Sequence, residues 1–261
     1  DRKALQDLFV ATNGGGWNIS YTQMPSRWLT DTDMCGWTGV KCTAGRVKSL
    51  SLSNYNLRGT IPESIVNLDR LEYLDLSGNY LVGTVSSLVK LNSLTGLKLR
   101  NNPNLSGTIP NLPLHLINLD LSYCNFTGTI SEAISTMKEL TDLRLNNNQL
   151  TGTIPTLPGS LGRMLNLANN RLEGSFPNGL KFLAFLNLTN NFLSGVLDNI
   201  AHLSPATLGL RNNKFSGDVN LSQLSKMEEI DISQNLFTSF NSSSPKPQKA
   251  TNFHKCNASD N

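Results

Sequence analysis

The chain has 261 residues, 38% hydrophobic and 16% charged, and its 22 Lys and Arg against 19 Asp and Glu leave a net charge of only +3. That charge is spread along the whole chain, so it does not draw a nucleic-acid footprint. No apolar run approaches the roughly 18 residues of a membrane span, and the first residue is Asp rather than Met, as expected of a secreted chain whose leader has been removed.

Residues 1–46 do not repeat. Ala4, Leu5, Leu8 and Phe9 fall on one side of a short helix, a side suited to covering the end of an array. Asn13-Gly-Gly-Gly16 breaks that helix. It lacks the preceding strand and following helix of a phosphate loop, so it reads as a turn. Trp17, Trp28 and Trp37 follow within a stretch too short to build its own core, and are expected to pack over the first repeat.

From residue 47 a pattern recurs, clearest in Leu140–Pro155. Leu143 and Leu145 alternate with Asp142, Arg144 and Asn146, the period-2 signature of a short strand with one buried face. Asn148 then turns inward, where its amide can satisfy main-chain groups that bend too sharply for sheet bonding. Gly152 permits a turn, and Ile154-Pro155 crosses to the opposite wall. The paired positions recur as Leu50/Leu52, Leu74/Leu76, Leu97/Leu99, Leu119/Leu121, Leu143/Leu145, Leu165/Leu167, Leu186/Leu188, Leu208/Leu210 and Ile230/Ile232, at the roughly 20 to 29 residue period of leucine-rich repeats. That gives nine coils over 47–240, whose inward polar position is Asn79, Asn102, Asn148, Asn170, Asn191, Asn213 or Asn235, with Tyr55 in the first coil and Cys124 in the fourth.

The extended form Leu57-Arg-Gly59-Thr-Ile61-Pro62, repeated as Leu105-Ser-Gly107-Thr-Ile109-Pro110, resembles the plant-type extracellular leucine-rich repeats of receptor-kinase ectodomains and polygalacturonase-inhibiting proteins, and similar protist surface proteins. Trp28-Leu29 and Cys35-Gly-Trp37-Thr-Gly39-Val40-Lys-Cys42 are similar to the N-terminal cap of those ectodomains. The resemblance implies a Cys35–Cys42 disulfide in the cap. It also implies an α/β-type repeat solenoid, a right-handed superhelix with a parallel sheet on its concave face.

Local departures carry further expectations. The third coil holds one extra residue, so Pro103-Asn104 should bulge at the edge of the concave face. Ile109-Pro-Asn-Leu-Pro113 and Ile154-Pro-Thr-Leu-Pro158 favour an extended, polyproline-like convex wall, whereas Pro62–Leu68 and Ser131–Ile134 favour a turn of helix. The convex side is therefore mixed. After Ile232 the repeat decays, and 241–261 reads as a polar tail or an incomplete cap. Cys124 is inward and reduced, and Cys256 is left without a partner. Members of the resembled family close this end with paired cysteines, so Cys256 points either to a chain cut short or to an intermolecular bond.

Chemistry is sparse. His115, His202 and His254 are far apart and none has a metal-ligand spacing, so no metal and no cofactor is expected. Asp120 and Asp142, on adjacent strands, invite a glycosidase reading, but Arg100 and Arg144 beside them give the simpler one of surface charge pairing. The chain is thus read as a non-enzyme. Seven Asn-x-Ser/Thr sequons, at Asn18, Asn104, Asn125, Asn187, Asn220, Asn241 and Asn257, favour an extracellular or cell-surface glycoprotein.

Function then rests on the wetted face of the sheet. Tyr73, Met164 and Phe185 stand there among Ser, Asn and charged residues, and aromatic and Arg side chains together are the composition of binding hot spots, although cross-strand packing also accounts for exposed rings. The expected ligand patch is Tyr73, Lys98, Arg100, Asp120, Tyr123 and Arg144. It suits a peptide, protein or glycan, and the resemblance to receptor ectodomains implies a signalling role with a possible co-receptor. A secreted inhibitor of a wall-degrading enzyme and a structural or adhesive surface protein are the alternatives.

Overall fold

The computed structural model describes residues 1–18, 28–30, 32–180, 182–197, 200, 203, 205–220, 224 and 227–241. Cys256, Asn257, His202, His254 and the expected tail beyond residue 241 lie outside the described residues. Two units divide the chain, Asp1–Thr127 and Gly128–Asn261.

The first unit opens with helix α1 (Arg2–Ala11), which buries the four residues its spacing selects, Ala4, Leu5, Leu8 and Phe9. Their cover is the tryptophan cluster: Trp17 and Trp28 meet edge to face at 4.9 Å, and Trp28 meets Trp37 at 5.4 Å. Cys35 and Cys42 are joined by a disulfide, as the cap resemblance implies. Asp1 ties the helix to the first coil, because its carboxylate, only 2% exposed, receives Arg46 through Nε and Nη2 at 3.0 Å each and the Val47 N–H at 2.9 Å. Gly59 lets that coil approach the end of α1; its φ is +130°, and a Cβ there would fall 2.0 Å from the Ala11 carbonyl oxygen.

Strands of the first unit are β1 (Val40–Thr43), β2 (Arg46–Ser51), β3 (Arg58–Gly59), β4 (Tyr73–Asp75), β5 (Tyr80–Gly83), β6 (Gly96–Lys98), β7 (Asn104–Thr108), β8 (Asn118–Asp120) and β9 (Asn125–Gly128). After the antiparallel β1–β2 pair, β2, β4, β6 and β8 run parallel with Leu50, Leu74, Leu97 and Leu119 in register. The leucine after each of those four is buried too, so both members of every pair face the core. Each such side chain contributes about 1.5–3 kcal/mol by leaving water.

The second unit continues the scheme with β10 (Asp142–Arg144), β11 (Gln149–Thr153), β12 (Met164–Asn166), β13 (Arg171–Gly174), β14 (Phe185–Asn187), β15 (Phe192–Gly195), β16 (Thr207–Gly209), β17 (Lys214–Asn220), β18 (Glu229–Asp231) and β19 (Leu236–Asn241). Leu143, Leu165, Leu186, Leu208 and Ile230 are in register along its inner ladder. This is the parallel-sheet leucine-rich repeat solenoid that the spacing predicts.

A second ladder departs from the sequence expectation. The Leu-x-Gly segments, which read as turns, are themselves strands: β3, β5, β7 and β9 pair parallel in the first unit, and β11, β13, β15, β17 and β19 in the second. Gly152 still has the left-handed φ, +73°, but it sits inside β11. β19 pairs with β17 through Asn241, so the outer ladder persists past the point where Ser239 replaces the glycine. The convex wall is mixed as expected, with 3-10 turns at Glu63–Asn67, Ser86–Lys90 and Glu132–Thr136 and no regular structure over 110–113 or 155–158.

Inward asparagines hold successive coils together. Asn170 Nδ2 donates to the Leu145 and Leu167 carbonyls at 3.0 and 3.1 Å, and its Oδ1 accepts the Leu150 N–H at 3.0 Å. Asn191 and Asn213 repeat the pattern in the second unit, and Asn79 and Asn102 in the first.

Candidate ligand-binding surface

On the inner ladder of the first unit, β4, β6 and β8 set two rows of outward side chains. Tyr73 lies opposite Gly96, and Lys98 lies between Asp75 and Asp120 on the flanking strands. The missing side chain at Gly96 makes room for the Tyr73 ring, since a Cβ there would come within 2.7 Å of it. Tyr73 donates its hydroxyl proton to Asp75 at 3.2 Å, and the Lys98 ammonium stands 5.5 Å from its ring centroid. Tyr73 thus meets a lysine of the next strand with its ring and a carboxylate of its own strand with its hydroxyl.

Asp120 is placed otherwise than the alternation predicts. Only 4% exposed, it accepts the Ser122 hydroxyl at 2.5 Å and the Ser122 N–H at 3.1 Å. It shapes the loop rather than presenting a charge. The loop that follows each inner strand stacks on its neighbours through main-chain bonds, Gly78 N–H to the Arg100 carbonyl at 2.8 Å and Asn101 N–H to the Ser122 carbonyl at 3.0 Å. Arg100, Asn101 and Tyr123 are therefore assembled on one edge, with Arg100 exposed.

Each coil passes through a left-handed residue on this edge. The occupants are Asn54, Gly78 and Asn101 in the first unit and Asn147, Asn169, Asn190, Asn212 and Gln234 in the second, all with φ between +54° and +67°. Tyr123 occupies the same position with φ +55°, and 53% of it is exposed. Asn and Gly accept this conformation readily, whereas a bulky residue there is a genuine outlier.

Arg144 belongs to the second unit. It pairs with the buried Asp142 at 3.6 Å, and Arg163 reaches the same carboxylate at 3.5 Å. That is the charge pairing expected of Asp142, whereas Asp120 is satisfied by Ser122 instead. Met164 and Phe185 are register partners on β12 and β14 and both are half-buried, which accounts for them by cross-strand packing. Among the described residues, no group of three or more His, Cys, Asp or Glu could hold a metal ion, and no helix is long and apolar enough to cross a membrane.

Sequence reasoning missed the outer-ladder residues that follow each inward asparagine. Tyr80, Phe192 and Lys214 stand there: Arg58 lies 4.4 Å over the Tyr80 ring, and Lys214 lies 5.2 Å over Phe192. The signal is the residue between the inward Asn and the next buried Leu, a position that the alternation of the inner strand does not reach.

Family models agree with this architecture. The leucine rich repeat N-terminal domain matches residues 1–43, and leucine rich repeat models match 45–103, 115–137, 139–161 and 163–183. The chain belongs to the leucine-rich repeat family. Receptor-like kinase TMK4 of Arabidopsis thaliana is 40% identical over 83 residues, 32% of this repeat protein and 9% of the kinase. The repeat protein spans only about a tenth of the length of the curated relatives it matches first. Among solved structures, the ectodomain of the receptor kinase GASSHO1/SCHENGEN3 from Arabidopsis thaliana, in complex with CASPARIAN STRIP INTEGRITY FACTOR 2, superposes with a TM-score of 0.73 at 28% identity, covering 90% of this chain and 32% of that one. A plant ice-binding protein superposes with a TM-score of 0.67 at 27% identity, covering 95% of this chain and 89% of that one.

Proposed function

We propose that this repeat protein is an extracellular ligand-binding domain of the receptor type, which recognises a peptide, protein or glycan through the patch of Tyr73, Lys98, Arg100 and Tyr123. The observation that carries this reading is Tyr123, an exposed ring held in a left-handed conformation where its equivalents are Asn, Gly or Gln. Such strain costs about 1–3 kcal/mol and persists only where the surroundings enforce it, most often at binding and catalytic sites.

Lys98 and Arg100 supply the charge for an anionic group, carboxylate or sulfate, which guanidinium binds bidentately. Tyr73 and Tyr123 supply flat apolar area, each with a hydroxyl. Asp120 positions Ser122 at the base of the Tyr123 loop. A short peptide with an acidic end fits these groups best, and the GASSHO1/SCHENGEN3 ectodomain, in complex with CASPARIAN STRIP INTEGRITY FACTOR 2, supports that choice. A co-receptor would then act with the bound complex.

Surface plasmon resonance against a panel of peptides of about ten residues, with and without a free carboxyl end or a sulfated tyrosine, tests the assignment. Arg100→Ala should weaken the bound members at least tenfold, about 1.4 kcal/mol, with unchanged unfolding temperature. Undiminished affinity in the Lys98→Ala/Arg100→Ala double variant contradicts it.

A second reading, ice binding, is favoured by the two-way coverage of the plant ice-binding protein. Inhibition of ice recrystallisation by the purified chain would support that reading.

A further inference from the structure

The second unit carries a groove on the edge formed by its left-handed turns and its outer ladder, well apart in sequence from the patch above. Asn190, Asn212, Phe192 and Lys214 line it, over a floor of Asn170, Asn191 and Asn213, and it encloses about 260 Å³. That is close to the lower end of small-ligand sites and has room for about one sugar ring.

The floor is fixed. Asn170, Asn191 and Asn213 are buried, at 6–8% exposure, and each is committed to main-chain groups of its own and the preceding coil. The rim is fixed as well, because Asn212 Nδ2 donates to Asn190 Oδ1 at 3.0 Å and Asn190 Nδ2 donates to Asn169 Oδ1 at 2.6 Å. Each carboxamide has two N–H donors and two acceptor lone pairs, so Asn190 keeps one of each for a ligand after both bonds are made. Beside this row Phe192 is 50% exposed. Its contact with the Lys214 ammonium, 5.2 Å from the ring centroid, is a weak cation–π contact at an exposed site, so the lysine can leave the ring when a ligand arrives.

We infer that this groove is a saccharide subsite, in which one pyranose of an oligosaccharide stacks on Phe192 while its hydroxyls bond to Asn190, Asn212 and the displaced Lys214. A pyranose presents an apolar C–H face and a rim of paired hydroxyls, each both donor and acceptor. An exposed aromatic face beside planar amides with free donor and acceptor sites matches both features. A peptide would leave the amide row facing side chains of arbitrary chemistry, and an ice lattice would need the flat row that Phe192 and Lys214 interrupt.

Cellotetraose, chitotetraose and tetragalacturonate, titrated into the ¹⁵N-labelled chain, test the inference. At least one should give saturable shifts below about 5 mM, centred on the side-chain amides of Asn190 and Asn212. Phe192→Ala should raise that Kd at least tenfold with no change in unfolding temperature, Phe192→Leu should not restore it, and Arg100→Ala in the first unit should leave it unchanged. Absence of saturable shifts at these amides with all three probes would overturn it. So would undiminished binding in Phe192→Ala or full recovery in Phe192→Leu, because a leucine supplies apolar area without a stacking face.

Discussion

Cys124 stands where other coils carry an inward asparagine, and the reason lies one coil earlier. An asparagine there would offer its Oδ1 to the N–H of the buried leucine in the preceding coil, as Asn102 does for Leu81. In the third coil the extra residue closes a turn in which the Leu105 N–H is already donated to the Asn102 carbonyl at 3.0 Å. No donor remains for an acceptor, and a thiol that donates to the Leu99 carbonyl at 3.4 Å suffices. The extra residue of the third coil and the cysteine are therefore one adaptation. Cys124→Asn should destabilise the chain by about 1–3 kcal/mol in urea unfolding, because its carbonyl would be buried without a donor. Asn170→Ala, which strips one acceptor and two donors from main-chain partners, should cost at least as much.

The thiol also sets a pH signature. Burial pushes Cys124 from its ordinary value of 9.0 up to about 11, with the Asp120 carboxylate adding to the rise and a backbone hydrogen bond at Asn102 opposing it. The folded chain holds the proton longer than the unfolded one, so this contribution is whole below pH 9 and is lost as pH rises from 9 to about 11. A two-unit difference is worth about 2–3 kcal/mol. The wild-type urea midpoint should fall across that window more steeply than that of Cys124→Ala.

At the scale of elements, the inner strands, the helix and the 3-10 turns after Pro62 and Ser131 were legible because each has a period or a capping pattern that one segment displays by itself. The outer ladder was not. Its rungs are two to seven residues long and built around left-handed glycines, so a single copy looks like a turn, and only stacking on the next coil makes it a strand. Burial of Asp120 was hidden for a related reason: alternation places a residue on a face, but Ser122 two positions later draws the carboxylate in. The join between α1 and β2 also depends on a contact across 45 residues, Asp1 with Arg46. Arg46→Ala should leave that buried carboxylate with only the Val47 N–H and destabilise the cap by about 2 kcal/mol, seen as early loss of tryptophan fluorescence in thermal unfolding.

At the scale of the molecule, stability in each unit is a sum over coils and their interfaces, so no single contact dominates the fold and the surface is free to vary. That is why the architecture was readable from leucine spacing while the proposed patch was only partly so: Tyr73 and Lys98 meet across adjacent strands, whereas the backbone strain at Tyr123 has no sequence signature beyond an aromatic where Asn is usual. Tyr123→Gly tests the central claim most directly, because it removes the strain and the ring together. Stability should rise by about 1 kcal/mol or more in denaturant unfolding while affinity for the peptides bound by wild type falls at least tenfold. A variant that gains stability and binds those peptides as tightly as wild type would contradict the assignment of this edge as the ligand site.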